Sequence, residues 1–279
     1  MRSRSFKARN PNGQHRLHFT EWGTDGAPVV LCLHGLTQTA RSFDALAASL
    51  SARFQVISLD IVGRGESDWL PDPRGYGFPQ YVADVYALLA HLEVADVDIV
   101  GTSMGGIIGM TLAAQSPTPV RRLVVNDVGP FIPKSAMARI RDYVGTDPAF
   151  PDMTAFEAYL RMIWAPFDEL SDAQWRHLAE TSARTTDTDM IAPAYDPDIR
   201  VPILAAPVQD ADFWAIWDAI DASSLVIRRG KSDLLLAETA EEMTRRGPKA
   251  EFVEFAGIGH APALMAEDQI RIVNEFLTS

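Results

Sequence analysis

A serine between two glycines is the residue in this chain best placed to do chemistry. Residues 101–105 read G-T-S-M-G, with Ser103 at the centre. An apolar run at 97–100 precedes the motif, and a helical pattern at 106–115 follows it. In a strand–turn–helix context, G-x-S-x-G forms a sharp turn that lifts the serine hydroxyl clear of the sheet. The glycines let strand and helix approach closely. The sequence therefore predicts that Ser103 is a catalytic nucleophile.

A serine hydroxyl is a weak nucleophile until a base takes its proton and a carboxylate orients that base. Among the six histidines, His260 lies on a loop after a late predicted strand, in the stretch 257–262 that reads G-I-G-H-A-P. The glycines there give the backbone freedom to aim the ring. We predict that His260 is the general base. The other histidines fall in an N-terminal hairpin, a loop, a helix end and an inserted helical segment: His15, His18, His34, His91 and His177.

Three aspartates at predicted strand ends compete for the role of the orienting carboxylate. Asp233 follows the predicted strand 225–227 and gives the chain order serine, aspartate, histidine. Asp127 follows the previous strand, where a structural hydrogen bond near the floor of the site is the other interpretation. Asp60 ends an earlier strand and is expected to brace the turn at 63–65. We favour Asp233 as the acid and leave the other two as alternatives.

The anion that forms after serine attack needs two hydrogen-bond donors already in place, usually backbone N–H groups. One donor is expected from Met104, the residue after the serine. The other is expected from Leu36, on the loop that follows the apolar run 29–33 and reads H-G-L. Gly35 allows this loop to turn toward the site. His34 is interpreted as a residue that braces the loop.

Short apolar runs alternate with longer helical patterns along most of the chain. This rhythm is typical of the α/β class, a mostly parallel sheet covered by helices. An Asn-Gly pair at 12–13 predicts a hairpin at the start. The alternation stops between about 131 and 207 and returns afterwards. We therefore predict a core made of residues 1–130 and 213–279, with a helical lid at 131–212 inserted between its two parts.

The predicted lid carries what information the sequence holds about a substrate. It is rich in Met, Trp, Phe and Pro, and we predict that Phe131 and Trp164 contribute to the wall of an apolar pocket. Such a pocket favours esters or thioesters with acyl groups of modest size over charged sugars or phosphates. Two lid helices are expected to begin at capping boxes, one formed by Thr154 with Glu157 and one by Ser171 with Gln174.

Composition argues against several classes of partner. A net charge of −12 makes a phosphate-binding surface implausible, so nucleic acid is not expected. The single cysteine, Cys32, cannot form an intramolecular disulfide, and its apolar neighbours predict a small buried side chain. No secretory signal and no apolar run of about 18 residues is found, which favours a cytoplasmic protein without membrane contact. Neither metal-ligand spacing nor a nucleotide loop is present, so no metal and no cofactor are predicted.

The ordered set of motifs resembles the α/β-hydrolase superfamily. It comprises H-G at 34–35, D-x-x-G-R-G-x-S at 60–67, G-x-S-x-G at 101–105, Asp233 and G-H at 259–260. The resemblance covers residues 15 to 130 and roughly 213 to 279. It implies an eight-stranded, mostly parallel sheet with an antiparallel second strand and a helical cap inserted after the sixth strand.

By the same resemblance, Ser103 matches the family nucleophile, Asp233 the acid, His260 the base, and Leu36 and Met104 the oxyanion donors. This implies a capped serine hydrolase that cleaves carboxylic esters of small to medium apolar substrates, with a small molecule as its partner. The same triad can also cleave carbon–carbon bonds, lactones or amides. A binding protein that has lost catalysis is disfavoured because serine, acid and base are all present. The sequence predicts no oligomeric state.

Overall fold

The computed structural model describes residues 1–164, 170–258 and 261–279. Its strands, numbered in chain order, are β1 (Arg2–Asn10), β2 (Gly13–Trp22), β3 (Val29–Leu33), β4 (Gln55–Leu59), β5 (Val97–Thr102), β6 (Val120–Asn126), β7 (Phe131–Ile132), β8 (Ala183–Thr185), β9 (Ile191–Pro193), β10 (Ala211–Asp212), β11 (Ser223–Lys231) and β12 (Glu251–Ile258). Eight of these strands form one sheet in the spatial order β1-β2-β4-β3-β5-β6-β11-β12.

The strand directions confirm the expected sheet. β2 runs antiparallel to both of its neighbours, whereas the pairs from β4 to β12 are parallel. The hairpin of β1 and β2 closes at the Asn10–Gly13 pair, as the Asn-Gly signal at 12–13 predicts. Parallel neighbours require crossover connections, and helices provide them.

Helices cover both faces of the sheet, and further helices lie between β6 and β11. They are α1 (Asp44–Leu50), α2 (Phe78–His91), α3 (Met104–Ala113), α4 (Lys134–Tyr143), α5 (Met153–Ile163), α6 (Asp172–Thr181), α7 (Arg200–Ala205), α8 (Trp214–Asp218), α9 (Ala237–Met243) and α10 (Glu267–Thr278). Along β3, Leu31 and Leu33 enter the apolar layer of α2 and α3, while Val30 and Cys32 enter that of α1 and α10. Side chains alternate along a strand, so a strand buried on both faces is apolar throughout. Cys32 is buried and unpaired, as expected.

A mostly helical segment lies between β6 and β11. We call residues 131–212 the inserted segment. It begins and ends in a short ribbon, because β7 at its start pairs with β10 at its end. It has an apolar cluster of its own, made by Phe156, Leu160, Trp164, Trp175, Leu178 and Ala179.

One of the two helix starts predicted for this segment is confirmed and one is wrong. Ser171 and Gln174 form the expected capping box at α6. At α5, however, Asp152 is the N-cap and accepts a hydrogen bond from the amide of Ala155. The Asp152 carboxylate, two residues before Thr154, is therefore the group that caps this helix.

The sheet brings the candidate site residues to one edge. β3, β5 and β6 are parallel neighbours, so the residues after their carboxyl ends lie close together, which is where ligands bind in such sheets. Leu36, Ser103 and Asp127 follow these three strands. No helix in the described ranges has the length and apolar character needed to cross a bilayer.

Candidate active site

Ser103 occupies a strained turn between β5 and α3. Its φ is 53° and its ψ is −116°, a left-handed conformation that costs a non-glycine residue about 1–3 kcal/mol. Close packing holds the turn. A Cβ atom on Gly105 would lie 2.0 Å from the carbonyl oxygen of Leu33, and one on Gly101 would lie 2.4 Å from that of Gly105. The sharp strand–turn–helix geometry predicted for residues 101–105 is therefore present.

Asn126 connects this turn to a distant loop. The amide of Ser103 donates to the carbonyl oxygen of Asn126 at 3.0 Å. The side-chain amide of Asn126 donates to the Thr102 hydroxyl at 3.0 Å and to the carbonyl oxygen of Pro262 at 2.8 Å. The fully buried side chain of Asn126 thus ties the end of β5 to the loop after β12.

Asp127 is fully buried beside the same loop. One carboxylate oxygen accepts the amide hydrogen of Arg229 at 2.9 Å, and the other accepts that of Ala261 at 2.8 Å. Its φ of 55° is a conformation that aspartate tolerates better than most residues. His260, the predicted base, lies outside the described residues, and Ala261 follows it directly in the chain. The structure therefore places a buried carboxylate on the backbone amide of the residue that follows the predicted base.

Asp233, the carboxylate that the sequence favours, lies in a different environment. Its side chain is 52% exposed and accepts two hydrogen bonds from the Arg139 guanidinium, at 2.7 and 2.9 Å. It is not among the described residues that line the cavity at Ser103. Asp127, and not Asp233, is therefore the aspartate seen hydrogen-bonded to the loop after β12, at Ala261.

The loop after β3 and the start of α3 supply the two amides expected near the serine. The amide N–H groups of Leu36 and Met104 have no acceptor within the described part of the chain, and both residues line the same cavity as Ser103. His34 braces this loop, as predicted. Its Nδ1–H donates to the Gly35 carbonyl oxygen, and its Nε2 accepts the amide hydrogen of Ile61. Burial lowers the pKa of His34 to about 4, so the ring stays neutral.

The third candidate carboxylate braces a turn, also as expected. Asp60 is buried and accepts hydrogen bonds from the Ala40 and Glu66 amides. It also contacts Nδ1 of His18 at 2.7 Å. A Cβ atom on Gly65 would lie 2.2 Å from the Asp60 carboxylate. These contacts occupy Asp60 in the turn at 63–65.

Sequence reasoning gave no role to Arg64, which is fully buried beside the serine turn. Its Nε donates to the carbonyl oxygen of Leu36 at 3.0 Å, and one Nη contacts the Met104 sulfur at 3.7 Å. The other Nη donates to the Val62 carbonyl oxygen and the Tyr81 hydroxyl. The Arg64 guanidinium thus contacts both Leu36 and Met104, the two residues whose amides are expected to bind the oxyanion. The position of Arg64 between two turn glycines, in G-R-G, is the sequence signal that could have identified it.

A cavity of about 360 Å³ opens beside Ser103 and is walled mainly by apolar side chains. The core contributes Leu36, Met104, Ile107 and Val128, and the inserted segment contributes Ile132, Met137, Ile140, Ile199 and Ile203. Neither Phe131 nor Trp164 is among the described lining residues. Ile132 lines the cavity in place of its neighbour Phe131, because successive strand residues face opposite sides. Trp164 is buried in the apolar cluster of the inserted segment.

Comparisons with known proteins identify the family. The model of the alpha/beta hydrolase family matches residues 30–272. A 3-hydroxybutyrate-oligomer hydrolase of Cupriavidus necator is 42% identical over 278 residues, which cover 96% of this chain and 95% of the relative. The crystal structure of an alpha/beta hydrolase from Novosphingobium aromaticivorans superposes with a TM-score of 0.89 at 35% identity, covering 99% and 98% of the two chains. A putative hydrolase from Rickettsia typhi gives a TM-score of 0.93 at 29% identity, covering 100% and 99%.

Proposed function

Because the chain belongs to the alpha/beta hydrolase family, we propose that this hydrolase cleaves a carboxylic ester through an acyl-enzyme intermediate on Ser103. One observation carries the proposal. Ser103 is held in a left-handed turn at the wall of an apolar cavity, and Leu36 and Met104, whose amides have no acceptor among the described residues, line the same wall. Strain at a single polar residue beside a cavity is typical of functional sites.

In the proposed reaction, His260 takes the hydroxyl proton while Oγ of Ser103 forms a bond to the ester carbonyl carbon. The amides of Leu36 and Met104 donate to the resulting oxyanion. The bond between carbon and the alcohol oxygen then breaks, and His260 returns the proton to the leaving alcohol. Water repeats the sequence on the acyl-enzyme and releases the acid.

We propose Asp127 as the carboxylate that orients His260, in place of Asp233. The orienting group of a triad is buried and hydrogen-bonded, since it must stabilise the imidazolium that forms during the reaction. Asp127 meets this requirement and holds the amide of Ala261. Asp233 is half-exposed, and Arg139 already neutralises it.

The substrate is proposed to be an ester of small to medium size with an apolar body. The described cavity wall offers mainly aliphatic and aromatic contacts, which favour burial of apolar surface. The similar protein from Cupriavidus necator is named for acting on oligomers of 3-hydroxybutyrate, and such oligomers are joined by ester bonds. This supports the ester among the bonds that a serine triad can cleave.

The inserted segment, 131–212, is proposed to act as the cap of this site and 1–130 with 213–279 as the core. Hydrogen bonds join the two parts around the 63–65 turn: the Gly65 amide donates to the Ala194 carbonyl oxygen, and the Asp196 amide donates to that of Gly63. Ile132, Met137 and other cap residues close the cavity opposite the core.

Ser103→Ala tests the proposed function. We expect hydrolysis of p-nitrophenyl butyrate to fall by roughly 10⁴-fold or more and labelling by a fluorophosphonate probe to disappear. Ser135→Ala, which removes an exposed serine on α4, is the matched control and should retain both. Labelling or near-full turnover in the Ser103→Ala variant would exclude the proposal.

A further inference from the structure

One arginine, Arg141 on α4, is among the described residues that line the apolar cavity beside Ser103. Met137, Ile140 and Arg141 lie on the same face of α4, since residues three and four apart are neighbours on a helix. All three line the cavity, and Arg141 is the one charged side chain among its described lining residues. Arg141 is half-buried, and a half-buried cation in an otherwise apolar wall needs a physical reason, because loss of hydration penalises an uncompensated charge.

Part of that reason is structural. Arg141 donates to the carbonyl oxygens of Leu204 and Ala206, at 2.9 and 3.0 Å, at the end of α7. A guanidinium has five N–H groups, and these two bonds leave three of them. Within the described ranges Arg141 forms no ion pair, unlike Arg139 on the same helix, which is paired with Asp233. The side chain is therefore held in position by α7, and its positive charge is not balanced by a described carboxylate.

We propose that Arg141 binds a carboxylate of the substrate, so that the preferred esters carry a carboxylate joined to the scissile bond through an apolar chain. The planar fork of a guanidinium matches a carboxylate, and such charge-assisted hydrogen bonds are among the strongest that proteins form. The chain has a net charge of −12, so an anionic substrate gains little from the overall field and depends on a local cation. This inference rests on the proposed esterase function.

The test compares two esters of equal shape. Mono-p-nitrophenyl adipate carries a carboxylate, whereas p-nitrophenyl 6-methylheptanoate has a neutral isopropyl group at the same place. In the Arg141→Met variant we expect KM for the adipate ester to rise about tenfold to a hundredfold, the range for a lost hydrogen bond to a charged group. KM for the neutral ester should change by less than about twofold, and kcat for both should persist.

Two controls separate this role from others. Lys134→Met removes an exposed positive charge from the same helix and should leave the preference for the anionic ester unchanged. Arg141→Lys keeps the charge and should retain part of the preference. In the wild-type enzyme, 0.5 M NaCl should raise KM for the adipate ester alone, a result that does not depend on any variant folding.

Several results would overturn the inference. If Arg141→Met raises KM equally for both esters, Arg141 only caps α7. If it affects neither ester, or if Lys134→Met reproduces the effect, no carboxylate site exists at Arg141. These outcomes leave the proposed function intact, because that function fails only if Ser103→Ala still turns over the neutral ester.

Discussion

At the scale of single residues, the environment of each side chain decides its chemistry. Ser103, Asp127 and Asp233 are all polar residues that follow strands. The serine is held in a strained turn, one aspartate is buried with two amide donors, and the other is exposed with a guanidinium. Residue type alone does not distinguish the two carboxylates, but burial does, because a buried charge acts through a low-dielectric medium.

Asp127→Asn tests this distinction. We expect kcat for p-nitrophenyl butyrate to fall by about 10⁴-fold, the loss known when the carboxylate of a serine-protease triad becomes an amide. Asp233→Asn is the matched control and should stay within about twofold, since exposed ion pairs contribute little. The opposite ranking of the two variants would return the role to Asp233.

Arg64→Met tests a residue that acts through its neighbours. Removing the guanidinium frees the loop at Leu36 and the side chain of Met104. Because oxyanion contacts are made mainly in the transition state, we expect kcat to fall about tenfold to a hundredfold with KM nearly unchanged. Steady-state kinetics on a neutral ester measure this. A change confined to KM would contradict the assignment, and Arg74→Met, at an exposed arginine, is the control.

At the scale of elements, the site depends on how closely α3 packs on β3 and β5. The glycines of the 101–105 motif lie where backbone touches backbone, so no side chain can yield to make room. Overpacked positions of this kind cost about 1–3 kcal/mol and sometimes more.

Gly105→Ala should therefore lower the thermal unfolding midpoint by several degrees and reduce activity, since its Cβ would lie 2.0 Å from the Leu33 carbonyl oxygen. Gly230→Ala is the control: its Cβ would meet its nearest atoms at 3.5 Å, an ordinary contact. Differential scanning calorimetry compares the two. Equal midpoints for both variants would show that α3 can move away from β3.

The contact between α6 and α1 should respond to pH. Nε2 of His177 lies 3.3 Å from the Asp44 carboxylate, and this hydrogen bond raises the pKa of His177 above its usual 6.5. A raised folded-state pKa adds stability that is complete below about pH 6.5 and lost as pH rises through the higher value. We expect His177→Gln to cost about 0.5 kcal/mol at pH 6 and almost nothing at pH 9, measured by urea unfolding. A cost that is independent of pH would contradict this.

At the scale of the whole molecule, the cavity belongs to two parts of the chain. Core strands and helices form one wall, and α4, α7 and the short strands of the inserted segment form the other. The ribbon of β7 and β10 holds both ends of the inserted segment at one place on the core. The size of the substrate that the cavity accepts therefore depends on how the inserted segment packs on the core.

A series of p-nitrophenyl esters tests this. Each methylene buried in the cavity contributes up to about 0.8 kcal/mol, so kcat/KM should rise by up to about fourfold per carbon from acetate to medium chains. It should fall for palmitate, whose chain exceeds a cavity of about 360 Å³. A maximum at acetate would indicate that the apolar wall does not receive the acyl chain.

The sequence by itself determined the features that arise from residues close together in the chain. The strand–turn–helix around Ser103, the hairpin at 12–13, the capping box at Ser171 and the α/β alternation depend on local spacing. The order of short motifs along the chain indicated the family. Helix Met153–Ile163 shows the limit, since the spacing predicted a cap at Thr154 and the structure uses Asp152.

Only the tertiary structure decided between alternatives separated by many residues. Asp127 lies beside Ala261 because β6 and the loop after β12 meet at one sheet edge, 134 residues apart in sequence. Arg141, and not Phe131 or Trp164, lines the described cavity because α4 and Ser103 border the same space. A charged residue on the apolar face of a helix was a signal available beforehand. Its meaning required knowing what that face covers, since burial and partners are set by packing and not by the order of residues.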